Sequence, residues 1–328
     1  MNGTYIGYVA GHDPLHDFLT GIIRDRMGVR EPQPAYQVFR FSGSNEVYGY
    51  KEKSSGAKLI CKFYGSRFGW ARQEYEALET LRRFRLVGSP HHVIAPLGLS
   101  RDINGALAVE YYTGEQFSHA IERATRHGDD AHLYWRLKAL AYFLATLHNR
   151  TANGATVDFD PDCRYFDKLL DRLRNAGRIE QWDVDELAWL RDLWRERPRM
   201  WEDRQVWLHG DATPANFLFG QDLDVAAIDL ERVKRGDRMF DVGRVAGELQ
   251  HAFMGAGGDR DRAEPFLGHF LWEYSCHFPD RQRTFESITA RLPFYMALNL
   301  LRIARNDYID VDYSGRLVDQ AKLLLRAA

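Results

Sequence analysis

The stretch QVWLHGDATPANFLFGQDLDVAAIDLE, residues 205–231, decides the reading of this chain. It opens with a short apolar run, Val206–Leu208, and then presents His209, Gly210 and Asp211 in succession. Asn216 follows five residues after Asp211. Phe217–Phe219 reads as a strand, and a second apolar run, Val225–Ile228, delivers Asp229 thirteen residues after Asn216. Apolar pieces this short, separated by polar loops, are strand pieces rather than helices. Asp211 and Asn216 share one short loop, so their side chains can converge, and a hairpin of the two apolar runs would return Asp229 to the same place. An Asp, an Asn and an Asp on a cleft are hard oxygen ligands suited to Mg²⁺. The spare carboxylate can take a proton from an alcohol.

Working outward, the hydrophobic period changes on either side of this stretch. Tyr36–Phe41, Glu46–Tyr50 and Lys58–Tyr64 read as strands, with SGSN (42–45) and KSSGA (53–57) as the turns between them. Residues 69–84 have helical spacing, with Tyr75, Leu78 and Leu81 on one face, and 91–98 and 105–112 read as strands. Ahead of all these, residues 13–27 form a short amphipathic helix that Asp13 caps, Pro14 starts and Gly28 ends. EPQP at 31–34 is a break. Beyond Gly114 the chain turns helical, over 130–149, 164–176, 183–197, 239–254, 262–277, 290–306 and 314–327. The expected class is therefore α+β, a small antiparallel β lobe followed by a larger mainly helical lobe. The expected division is a helical extension at 1–34, a β-rich lobe at 35–110 and a helical lobe at 111–328, with the border near 109–114.

Composition sets the limits. At 328 residues, 45% hydrophobic, the chain has material for one large core or two modest ones. Its 44 basic and 46 acidic residues leave a net charge of −2, which argues against a partner bound through a nucleic-acid backbone. Cys61, Cys163 and Cys276 are too few and too far apart for a disulfide framework or a zinc ribbon, and suit a reducing compartment. The longest run without a formal charge, Leu86–Ser100, contains two histidines and two prolines, so no membrane span is expected. No signal peptide is read at the N-terminus, and a cytoplasmic protein is the expectation.

HGDATPAN and AAIDLE resemble the catalytic loop and the metal-binding strand end of the aminoglycoside phosphotransferase and choline kinase family, a branch of the protein-kinase-like fold. Other pieces agree with it. KLICKFYG puts Lys62 on the third strand of the small lobe, and RQEYEAL puts Glu74 on the helix that follows. LATLHN (144–149) and GDRMFDVG (236–243) resemble two further stretches of that family. The resemblance implies ATP, or GTP, with Mg²⁺, and transfer of the γ-phosphoryl group to a small-molecule hydroxyl: an aminoglycoside, a sugar or an amino alcohol. It implies that Asp211 orients the acceptor hydroxyl and takes its proton, and that Asn216 and Asp229 hold Mg²⁺. Lys62 then contacts the α/β-phosphates, positioned by Glu74. It implies too that His209 and Asp241 support the loop and that the adenine lies against the link at Glu110–Tyr112. The loop at 41–49 lacks GxGxxG, and the resemblance implies that Ser42, Ser44 and the nearby amides cradle phosphate instead.

Two rival readings stay open from the sequence: a catalytically silent pseudokinase that binds nucleotide, and a protein kinase. The second lacks HRD, DFG and room for an activation loop between Asp229 and Asp241. The cluster Asp307, Asp310 and Asp312 reads either as a solvated helix end or as part of a pocket for a cationic acceptor. Arg302 and Arg305 just upstream point instead to an anionic one. Oligomeric state is not legible.

Overall fold

The computed structural model describes residues 1, 3–30, 35–41, 46–257 and 261–327; Ser42 and Ser44 lie outside the described residues. In chain order its elements are β1 (Thr4–Tyr8), α1 (Pro14–Met27), β2 (Tyr36–Arg40), β3 (Glu46–Glu52), β4 (Lys58–Phe63), α2 (Phe68–Arg82), β5 (Val87–Gly88), β6 (His91–Val93), β7 (Pro96–Ser100), β8 (Ala106–Glu110), β9 (Glu115–Gln116), α3 (Phe117–His127), α4 (Asp130–Thr151), α5 (Asp160–Asn175), α6 (Gln181–Arg195), β10 (Val206–Leu208), β11 (Phe217–Phe219), β12 (Val225–Ala227), β13 (Lys234–Gly236), α7 (Met239–Gly257), α8 (Glu264–Ser275), α9 (Arg281–Ala304) and α10 (Val311–Arg326). They form two compact units, Met1–Gly114 with Ala226–Arg232, and Glu115–Val225 with Val233–Ala328. Among the described residues no helix is long and apolar enough to cross a membrane.

The first unit is a six-stranded antiparallel sheet in the order β1-β2-β3-β4-β8-β7. Its β3–β4 turn is set by Glu52, whose buried carboxylate accepts from the backbone N–H of Ser54 (3.0 Å) and Ser55 (2.5 Å) and from both hydroxyls. Burial opposes the charge, but these bonds outweigh it and hold the carboxyl at about 2. Helix α1 starts at Asp13, whose side chain accepts from Leu15 N at 2.9 Å, and ends at left-handed Gly28. Its apolar face buries Leu19, Ile22 and Ile23 against Tyr36, Tyr50, Leu59 and Cys61 of the sheet. Each such side chain contributes roughly 1.5–3 kcal/mol. Helix and sheet thus share one core, and β1 joins the sheet's edge at β2. The sequence reading had no strand at β1.

The second unit is helical. Helices α7 and α9 approach closely because a Cβ on Gly243 would lie 2.2 Å from Tyr295 Cβ, and one on Gly247 2.8 Å from Asn299 Nδ2. That glycine face adjoins the one carrying Arg244, Glu248 and His251, since Gly247 lies three residues after Arg244 and four before His251. Beneath them, fully buried Arg291 donates to Asp237 (2.5 Å) and to Asp203, while Tyr295 OH donates to Asp162 at 3.0 Å. Short pairs β9–β11 and β10–β13 frame the loop between them. Helix α3 is an element that the sequence reading lacked, and α9 begins at Arg281 rather than near 290. The first turns of α9 are exposed and polar, and Asp280 caps them by accepting from Arg283 N at 3.0 Å.

Candidate active site

In the first unit, β4 carries Lys62 in register between Val47 of β3 and Leu107 of β8. Its Nζ donates to Glu74 Oε1 of α2 at 2.7 Å and to Asp229 Oδ1 at 2.6 Å. Asp229 reaches this unit because its segment is tied to it: Ile94 N donates to Ala227 O at 3.4 Å. Burial disfavours the Lys62 ammonium, but Glu74 and Asp229 together outweigh that and raise its pKa, so the group stays charged. Glu74 is fully buried, whereas its neighbour Glu76 is exposed, so of these two it is Glu74 that meets Lys62. The other Glu74 oxygen accepts from Tyr64 OH, a residue that sequence reasoning did not single out. Asp229 has φ +61°, a left-handed conformation in which a side chain other than glycine is strained. Two residues on, Glu231 has its pKa raised by burial and by the charges of Asp229 and Glu74.

The link after β8 belongs to the same unit. Glu110 is engaged twice over. Its N–H donates to Ala95 O at 2.9 Å, and its carboxylate accepts from Ala95 N at 3.0 Å and pairs with His92 Nε2 at 2.8 Å. The Tyr112 ring stacks on His92 with centroids 5.6 Å apart.

In the second unit, Asp241 organises the loop that begins at the end of β10. Its fully buried carboxylate accepts from His209 N at 2.7 Å and Gly210 N at 3.0 Å, with His148 Nε2 at 3.3 Å. Burial opposes the ionised form, but His148 and His209 outweigh it and lower the pKa. His209 Nδ1 accepts from Asp211 N at 3.3 Å, so the histidine holds backbone. Beyond it the loop folds on Asp211 O, which accepts from Thr213 N at 2.7 Å and Asn216 Nδ2 at 2.9 Å. The amide oxygen of Asn216 is the end left for a ligand.

Arg244 completes this loop. Nearly buried, it donates to Gly210 O at 3.1 Å and to Asp211 Oδ1. Its only signal in the sequence is its position three residues after Asp241 on one helix, which puts both on one face. Asp211 also lines a cleft of about 710 Å³ within this unit, with Thr213, Glu122 of α3, Glu248 and His251 of α7, and Arg302 of α9. A carboxylate fixed by a guanidinium at the wall of a cleft this size can orient a hydroxyl and accept its proton.

The sequence pattern of the phosphotransferase enzyme family matches residues 37–276. The chain belongs to that family. It is a small-molecule phosphotransferase. No curated protein matches it in sequence. Among solved structures, the chain resembles an ethanolamine kinase from Plasmodium vivax at 14% identity and a TM-score of 0.63, covering 96% of this chain and 91% of that one. An amicoumacin kinase solved with AMP-PNP and Ca²⁺ gives 15% identity and 0.60, with 95% and 96% covered. The choline kinase LicA from Streptococcus pneumoniae gives 16% and 0.53, with 95% and 100% covered. At these identities the likeness shows the protein-kinase-like α+β fold. The family match takes in Lys62, Glu74, Asp211, Asn216, Asp229 and Asp241, and it stops short of Arg302.

Proposed function

We propose that this phosphotransferase moves the γ-phosphoryl group of ATP, or GTP, onto a hydroxyl of a small molecule. Asp211 accepts the hydroxyl's proton through the carboxylate oxygen that Arg244 leaves free. Lys62, aligned by Glu74, holds the α/β-phosphates, and the nucleotide base sits at the link that ends in Tyr112. Asn216 and Asp229 are each proposed as Mg²⁺ ligands: an amide oxygen and a carboxylate are hard donors, and the ion neutralises phosphate charge. Among the described residues no three His, Cys, Asp or Glu cluster as a metal cage. That suits an ion that binds one or two protein oxygens and completes its shell with phosphate and water. Such a reaction needs positioning and charge neutralisation more than covalent work by the protein. Free Cys61, Cys163 and Cys276 favour a reducing cytoplasm as its setting.

The observation that carries this reading is Asp211, fixed by Arg244 at the wall of a cleft sized for a small molecule. The test is ADP release from Mg·ATP with pooled hydroxyl compounds, with Asp211→Asn as the blank. Acceptor-dependent ADP should fall by roughly 10²–10⁴ in the variant. Mg·ATP binding with no acceptor-dependent turnover in the wild type would favour a silent nucleotide-binding module. Phosphate found on protein would favour a protein kinase.

A further inference from the structure

Resting on the phosphotransfer reading, we infer that the acceptor is an electrically neutral, polyhydroxylated molecule, a sugar, glycoside or polyol, rather than a polyamine or a quaternary amine. The cleft beside Asp211 has about 710 Å³, room for one to a few sugar rings. Among the described residues, three carboxylates line it, and each is already matched by a guanidinium. Asp211 is held by Arg244. Glu248 is held by Arg302, and Asn299 Nδ2 lies 3.3 Å from it; Arg302 Nε is itself fixed on Asn299 Oδ1 at 2.9 Å. Glu122 pairs with Arg126 one turn along α3, at 2.8 Å. His251 adds no cation at neutral pH: burial lowers its pKa, and its Nδ1 pairs with Tyr313 OH at 2.9 Å.

This pattern selects by chemistry. An ammonium can only donate, and at each of these carboxylates it would sit beside a guanidinium whose like charge opposes it. A hydroxyl donates and accepts, so it can bridge the carboxylate and guanidinium edges of one pair without breaking it. With each lining carboxylate matched by a guanidinium, the formal charges of these three pairs cancel and leave little to draw in a polycation. A quaternary ammonium needs aromatic walls. The aromatic side chains of this lining are His251 and Tyr308, and Tyr308 is 82% exposed. The acidic cluster past α9 does not restore a cation site, because Asp307, Asp310 and Asp312 are absent from the lining and Asp310 caps α10.

The experiment compares kcat/KM with Mg·ATP for matched acceptors: glucose against glucosamine, glycerol against ethanolamine, and maltose against kanamycin, at low and high salt. The wild type should favour the neutral member of each pair by about tenfold or more, with rates nearly independent of salt. Arg302→Gln unmasks Glu248 and should shift the amine-to-neutral ratio by about tenfold toward the amine. Arg126→Gln on the exposed face of α3 provides a second unmasking, at Glu122, that does not depend on the packing around α9. A wild-type preference for the amines that weakens steeply with salt overturns this inference and leaves the phosphotransfer reading standing. So does an unchanged ratio in both variants. Transfer to neither series, with Mg·ATP bound, overturns the phosphotransfer reading and this inference with it.

Discussion

Two charge clusters carry the candidate chemistry, and they are built in opposite ways. In the first unit Lys62, Glu74 and Asp229 satisfy one another, side chain to side chain. In the second, Asp211 is held by a loop whose amides converge on a different residue, buried Asp241. A cluster of mutually paired side chains can exchange partners when a ligand brings its own charges. A loop pinned through its backbone cannot, and keeps its geometry before any ligand arrives. One cluster is therefore suited to gripping a charged ligand that comes and goes, and the other to presenting a base in a fixed place.

The sharpest way to break this comparison is by paired substitutions. Glu74→Ala takes one of two carboxylates from a buried ammonium, and with Asp229 still in place it should cost about 2–3 kcal/mol in urea unfolding, less than a fully stranded charge. Lys62→Met with Glu74→Leu should regain most of that stability while leaving the enzyme inactive, because both buried charges go together and the remaining carboxylate, Asp229, is one-third exposed to water. Asp241→Ala should cost about 1–3 kcal/mol for each amide that it orphans. Here no second side-chain change can help, since the stranded groups are the backbone of residues 209 and 210. A Lys62/Glu74 double variant as unstable as the worse single would remove the distinction, and so would rescue of Asp241→Ala by His148→Phe.

The loop at 205–231 was legible because its chemistry is local: the spacing of Asp211, Asn216 and Asp229 is written in the chain itself. So was α1, whose cap, first-turn proline and final glycine are all punctuation within one segment. Strand β1 was not legible. It is an exposed edge with Gly7 at φ +129° and a register shift beside it, so it lacks the alternation that marks a half-buried strand. Helix α3 does bury Phe117, Ala120, Ile121 and Ala124 at helical spacing, but two of these are alanines and give a weak apolar signal. The pair Asp211–Arg244 depends on how α7 meets the loop after β10, and Glu248–Arg302 on how α7 packs on α9 through Gly243 and Gly247. No local spacing encodes such a contact.

Two buried aspartates of the second unit sharpen the contrast between a satisfied carboxylate and a strained one. Asp162 is pushed up to about 6 by burial, which Lys234 at 3.8 Å only partly offsets. Its folded value lies above the unfolded one, so the native state holds an extra proton between about pH 4 and 6. Its contribution is fully present below the unfolded pKa and is lost as pH rises through the folded one, by about 2–3 kcal/mol in all. Asp241, held low, contributes in the opposite sense: its stabilisation is present above the unfolded pKa and lost as pH falls. Urea unfolding from pH 4 to 7 should show Asp162→Asn gaining on the wild type as pH rises. A difference that does not vary with pH would mean that Asp162 is ionised throughout and belongs with the satisfied carboxylates.

The smallest effect concerns Asp310, a member of the cluster Asp307, Asp310 and Asp312 that the sequence left between two roles. Asp310 Oδ1 accepts from Asp312 N at 2.9 Å and from Tyr313 N at 3.2 Å, so it closes the first turn of α10. Asp310→Ala should cost about 1 kcal/mol, and Asp310→Asn should restore most of it, because a cap needs an acceptor oxygen rather than a charge. Neither change should move the ratio of amine to neutral acceptors, which Arg302→Gln does move. The difference between the two sites is what each carboxylate does with its charge: Asp310 spends its oxygen on the helix at the surface, whereas Glu248 carries a negative charge that Arg302 keeps from a cationic acceptor. An Asp310→Asn enzyme that loses activity on amines but not on sugars would move the acidic cluster into the acceptor site.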